Sequence, residues 1–177
     1  MKHIEFRKTG SVNKDKFPDW PMRFEKLGQG DYCLLSDWRY AADKDRVITV
    51  PAGFRFDAAS IPKFAWPLVG CPVDSIEAAA VHDWLYYLRT LIFGHMPQLL
   101  EYLEIEGDPN SFKNNDILRH WADSVYLHAL KDMCVSRANR YAQYRAVRMF
   151  GRIPWYSKRH PQGPEIGQML VQENSQK

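Results

Sequence analysis

The run from Ile76 to Leu88, IEAAAVHDWLYYL, constrains this chain most. Small, aliphatic and aromatic residues fill it, and the only interruptions are Glu77 and the adjacent pair His82 and Asp83. Apolar residues at i, i+3 and i+4 spacings predict a largely buried helix from about Ser75 to Leu91, with Asp74 or Ser75 as N-cap and Glu77 in its first turn. On such a helix His82 and Tyr86 lie one turn apart on one face, and Asp83 sits about 100° around from His82. An ionisable pair in so apolar a helix needs partners, because a buried charge without one is strongly disfavoured. Either His82 is a core histidine tied to a neighbour, or it belongs to a functional site.

The 177 residues amount to one domain's length, and 45% hydrophobic with 25% charged residues is ordinary globular composition. The reading is a single α+β domain over residues 1–160, with residues 161–177 as a mobile polar tail. The net charge of +3 is mild and reads as dispersed, so nucleic-acid binding is not indicated. No apolar run is long enough to span a bilayer, and the N-terminus MKHIEFRKTG has no secretory core, which predicts cytoplasmic synthesis. Cys33, Cys71 and Cys134 are odd in number and widely spaced, so they form neither a disulfide framework nor a zinc motif.

Residues 1–30 are polar and broken by Pro18, Pro21, Gly28 and Gly30, which predicts a loosely attached segment with one strand at Met22–Lys26. Asp31–Tyr40 reads as one strand and Arg46–Val50 as the clearest strand of all. Phe54–Phe56 extends that hairpin past Pro51 and Gly53, giving a small N-terminal antiparallel sheet of two to four strands. The proline-rich stretch Asp57–Pro72 is an ordered, partly buried loop or short helix, in which Asp57 and Ser60 either cap a turn or complete a polar site.

Three main helices follow the sheet, with HDWLY on the first. Gln98–Ile105 is a candidate short helix, and Glu106–Asn110 a loop. The second main helix runs from Ser111 or Asn114 to Met133, with an apolar face drawn through Ile117, Trp121, Val125 and Leu130, and Leu118, Ala122 and Ala129 beside them. The third spans Arg137–Phe150, stops at Gly151, and carries Arg137, Arg140, Arg145 and Arg148 on what reads as a solvated face.

Asp123 sits mid-helix between Trp121 and Val125, a poor place for an unpaired carboxylate. If the first two helices pack antiparallel, Asp123 reaches His82, and a buried carboxylate beside an imidazole orients it and stabilises its charged form. Asp83, aimed elsewhere, is then free to bind a hard cation through oxygen. Ser60 lacks the GxSxG turn of a serine hydrolase, and no phosphate loop, HExxH or EF-hand pattern is present.

The run VPAGFRFDAASIPKFAWPLVG followed by AAAVHDWLYY resembles a family of short proteins from tailed phages and prophages. The resemblance covers about residues 50–130 and includes the Ala122–Asp123 pair. It implies phage origin, and so synthesis in the host cytoplasm, but no established activity; association with the virion, with phage structural proteins or host envelope lipid as partners, is one expectation left open. HDWLY also resembles the HDxxY helix of secreted phospholipases A2. That resemblance implies His82 as the base, Asp83 as a calcium ligand with Asp57 nearby, Asp123 as the orienting carboxylate and Tyr86 as a network phenol. The glycine-rich calcium loop and the helix-bracing cysteines of those enzymes are absent here.

Two readings follow. One is a hydrolase with catalytic His82, Asp123 and Tyr86, acting on lipid esters or another envelope component. The other is a non-enzymatic virion or tail-associated protein in which the same residues form a buried network. Solvent access at His82 discriminates between them.

Overall fold

The computed structural model of the protein describes residues 12–28, 31–42, 47–57, 75–94 and 112–156. Ser60 and most of its loop, Cys71, the expected short helix at 98–105, the loop at 106–110 and the tail lie outside the described residues. The fold is α+β, an antiparallel sheet region followed by helices. Its elements are β1 (Phe24–Lys26), β2 (Asp31–Leu34), β3 (Trp38–Ala41), β4 (Val47–Val50), β5 (Arg55–Asp57), α1 (Ile76–Gly94), α2 (Phe112–Asp132), α3 (Arg137–Phe150) and the short α4 (Arg152–Tyr156).

Among the described residues the strands form two sheets rather than one. β1, β2 and β5 make a three-stranded antiparallel sheet, and β3 pairs with β4. The single strand expected over Asp31–Tyr40 is broken by a bend at Leu35 and Ser36. Asp37 holds that corner by accepting the Ala52 N–H at 2.8 Å, the local side-chain bonding that competes with a ladder. β5 does not extend the β3–β4 hairpin; it pairs with β2, Tyr32 opposite Phe56. Gly53, at φ 81°, makes the turn that sends the chain there, a conformation glycine adopts without steric penalty.

Residues 12–28 are not loosely attached. Phe17 is fully buried and stacks on Trp38 and Tyr40 with ring centroids 5.5 and 4.9 Å away. The Asn13 N–H donates to the Asp132 carbonyl at the end of α2, and Tyr40 Oη donates to the Asp132 carboxylate at 2.9 Å. Polar composition concealed this anchoring, because one aromatic side chain and a few backbone bonds supply it.

α1 is the central element. It packs against β4, β5, α2 and α4, so from Ser75 to Tyr87 every residue is buried except Asp83, which is partly so. Helix α2 packs against it, and its buried apolar side chains are Leu118, Ala122, Val125, Tyr126, Ala129 and Leu130. Of the expected face, Val125 and Leu130 with Leu118, Ala122 and Ala129 beside them are buried, whereas Ile117 is exposed and Trp121 only partly buried. α3 covers the other side of α2. It begins at the N-cap Ser136, whose side chain accepts the Asn139 N–H.

α3 stops at Gly151, as expected, and the glycine there has a right-handed backbone, φ −64°. A further role is close approach. A Cβ there would collide with the Val147 carbonyl and come within 2.6 Å of the Tyr86 hydroxyl.

Candidate functional site

The three main helices meet at Asp123. Its Oδ1 lies 2.9 Å from His82 Nε2, the separation expected of a paired imidazole and carboxylate. The same oxygen accepts the Tyr86 hydroxyl at 2.7 Å. Its Oδ2 accepts from the Arg148 guanidinium at 2.9 Å, and Arg119 Nη1 stands 3.9 Å away, one helical turn back along α2. Arg119 in turn donates to the Arg148 carbonyl and pairs with Asp116 at 3.3 Å. Three helices thus share one carboxylate, and each contributes a group of fixed direction.

His82 is 1% exposed and Asp123 0%. The imidazole is flanked by the Tyr86 and Tyr126 rings, centroids 4.2 and 5.0 Å away. Its Nδ1 faces Asp83 Oδ1 at 3.7 Å, longer than a hydrogen bond. Tyr126 points its hydroxyl to Gln143 on α3, which also receives the Ser75 hydroxyl, so a second set of polar contacts runs beside the first.

Burial by itself would push the His82 pKa down. The hydrogen bond to Asp123 and the nearby Asp83 outweigh that and lift it to about 9. His82 is therefore charged at neutral pH. Burial likewise works to raise the Asp123 carboxyl, but His82, Tyr86 and Arg148 hold it below the ordinary 3.8. The Tyr86 phenol is driven far up by burial and then by the adjacent carboxylate, which fixes it as a donor. The cluster is balanced: cationic His82, Arg119 and Arg148 face Asp83, Asp116 and Asp123.

The sequence-nominated residues divide accordingly. His82, Tyr86 and Asp123 come together, and Asp83 flanks them. Asp57 closes β5 opposite Asp31 and is exposed. Ser60 lies outside the described residues. Among the described residues, no group of three or more His, Cys, Asp or Glu side chains is placed to hold a metal. Sequence reasoning missed Arg148, read as part of a solvated face, and Arg119. The i, i+4 spacing of Arg119 and Asp123 was the available signal for the latter.

Fold and site together define an α+β protein with a central helix and a buried histidine–aspartate–arginine network. The chain belongs to the family described as "Protein of unknown function (DUF1353)", which matches residues 32–147. No curated protein and no solved structure gives a match.

Proposed function

We propose that this is a phage-encoded, non-enzymatic protein, associated with the virion or tail, in which His82, Asp83, Tyr86 and Asp123 form a structural network. One observation carries the non-enzymatic reading: the imidazole is at once sealed and charged, 1% exposed with its pKa lifted to about 9. A general base must be unprotonated and within reach of the proton it removes. A cavity between these helices, about 10 Å³ and room for a single water, is lined by Leu85, Leu118, Trp121 and Trp155 and does not reach His82. The phage setting rests on the VPAGFRFDAASIP…HDWLY signature.

A hydrolase acting on lipid esters is the second reading. What favours it is that Asp123 Oδ1 receives both His82 Nε2 and the Tyr86 hydroxyl, the arrangement the phospholipase resemblance implies.

His82→Gln separates the two. The wild type is assayed for ester hydrolysis on mixed phospholipid vesicles, with and without calcium, and for peptidoglycan release, beside thermal unfolding of both proteins. The structural reading expects no turnover on either substrate and a variant destabilised by about 1–3 kcal/mol through unsatisfied buried groups. Wild-type turnover that falls by roughly 10²–10⁴ in a variant of unchanged stability would establish the hydrolase instead.

A further inference from the structure

The mild net charge conceals a strong asymmetry, contrary to the dispersed distribution first read from composition. From Met133 to Pro164 the sequence has seven Lys or Arg and no Asp or Glu. The remainder holds 17 of the 24 basic residues against all 21 acidic ones, and is net negative. α3 lies inside the basic stretch. It buries Gln143, Ala146 and Val147 against the protein and turns Arg137, Tyr141, Arg145 and Met149 outward. Tyr141, Arg145 and Met149 recur every four residues, so they form one row along the helix. Met149 is 70% exposed, and Ile153 on the short helix that follows is 78% exposed. Among the described residues no carboxylate pairs with Arg137 or Arg145, whereas Arg148 is turned inward to Asp123. The Arg140 guanidinium lies 5.8 Å from the Tyr141 ring centre.

We propose that the outer face of α3, continued by Ile153, docks on an anionic lipid bilayer surface. Arginines without acidic partners are drawn to acidic headgroups, and the apolar Tyr141, Met149 and Ile153 that alternate with Arg137 and Arg145 along this face are placed to enter the boundary of the acyl region, as in an interfacial amphipathic helix. The net-negative remainder of the chain is repelled by the same surface, which orients the protein with α3 inward. A nucleic acid would satisfy the arginines but offers exposed Met149 and Ile153 no hydrocarbon. A second copy would bring like charges together.

The test is co-flotation of the full chain with vesicles of phosphatidylcholine alone or of equal phosphatidylcholine and phosphatidylglycerol, at low and high salt. The wild type is expected on the anionic vesicles only, with binding that weakens as salt rises. The double variant Arg137→Gln/Arg145→Gln, both residues exposed and outside the buried network, should weaken binding roughly 30-fold with an unchanged melting temperature. Met149→Ser/Ile153→Ser should weaken it while leaving its salt dependence intact. Equal binding to both vesicle types, no binding to either, or a charge variant that binds as the wild type does would overturn the proposal. So would retention of duplex DNA by a protein that ignores vesicles, or a salt-insensitive dimer that the apolar variant dissociates.

Discussion

The two halves of this protein are held by different forces. Around the sheets the core is aromatic: Phe17 stacks on Trp38 and Tyr40, Tyr32 on Phe56, and Phe54 meets the Trp84 edge on α1. Among the described residues, every buried polar or charged side chain lies in the helical half or at its start, from Ser75 and Glu77 through His82, Asn115, Arg119 and Asp123 to Gln143. Aromatic packing depends on area and shape and is indifferent to pH. The helical half depends on direction and protonation state, because each buried charge must meet its partner. Mutations in the two halves should therefore fail in different ways.

The largest effect is expected from Asp123→Ala. It leaves His82 charged beside Asp83 alone, frees the Tyr86 hydroxyl, and strips Arg148 of its carboxylate. Removing one member of a buried ion cluster costs about 3–5 kcal/mol, measurable by urea unfolding. A loss below about 1 kcal/mol would mean that solvent replaces the carboxylate, and the contrast between the halves would collapse.

Gly151→Ala comes next. An added Cβ must displace either the end of α3 or the Tyr86 hydroxyl, 2.6 Å from it. Overpacking of this kind costs about 1–3 kcal/mol. Because the strain falls on the tyrosine that donates to Asp123, combining it with Tyr86→Phe should be less than additive. Strict additivity would show that the strain is relieved elsewhere. In the other half, Phe17→Leu keeps an apolar group in place while removing the stack on Trp38 and Tyr40. The expected loss is about 1–2 kcal/mol, the same at every pH at which the protein is folded.

The contrast also explains what could be read from the sequence. α1 was legible because an unbroken apolar run can only be interior, and Asp123 because a carboxylate among Trp121, Ala122 and Val125 must have a partner. The partner at Arg148 was not legible. An arginine-rich helix has the same pattern whether one guanidinium turns inward or all face water, and only the packing of α3 on α2 decides. Gly151 resembled an ordinary helix stop for a similar reason: its neighbour, the Tyr86 hydroxyl, is 65 positions away in sequence. The two-sheet arrangement was hidden too. β5 has equal local reason to follow β4 or to cross to β2, and the Gly53 turn with the Leu34–Phe54 backbone bond settles it. Phe17 shows the converse error, one buried ring in a polar segment outweighing the composition around it.

The last expected effect is a slope, and it separates the halves most cleanly. His82 has a folded pKa of about 9 against the ordinary 6.5. Its contribution to stability is thus fully present below pH 6.5. Between 6.5 and about 9 the unfolded chain has lost the proton that the folded protein keeps, so stability falls as pH rises, by at most about 1.4 kcal/mol per pH unit for one proton. Above pH 9 both states are neutral and this term is flat. Asp123, held below 3.8, acts at the other end: its contribution is present above that value and is lost as acid protonates it. Urea unfolding across pH 2.5–9.5 should show the alkaline decline in the wild type and in Phe17→Leu, which is merely offset. His82→Gln should lack it while keeping the acid limb, since Asp123 retains Tyr86 and Arg148. An alkaline decline of equal steepness in His82→Gln would place the titrating group elsewhere and leave the imidazole neutral in the folded protein. The balance of charge around Asp123 would then have to be carried by the two arginines.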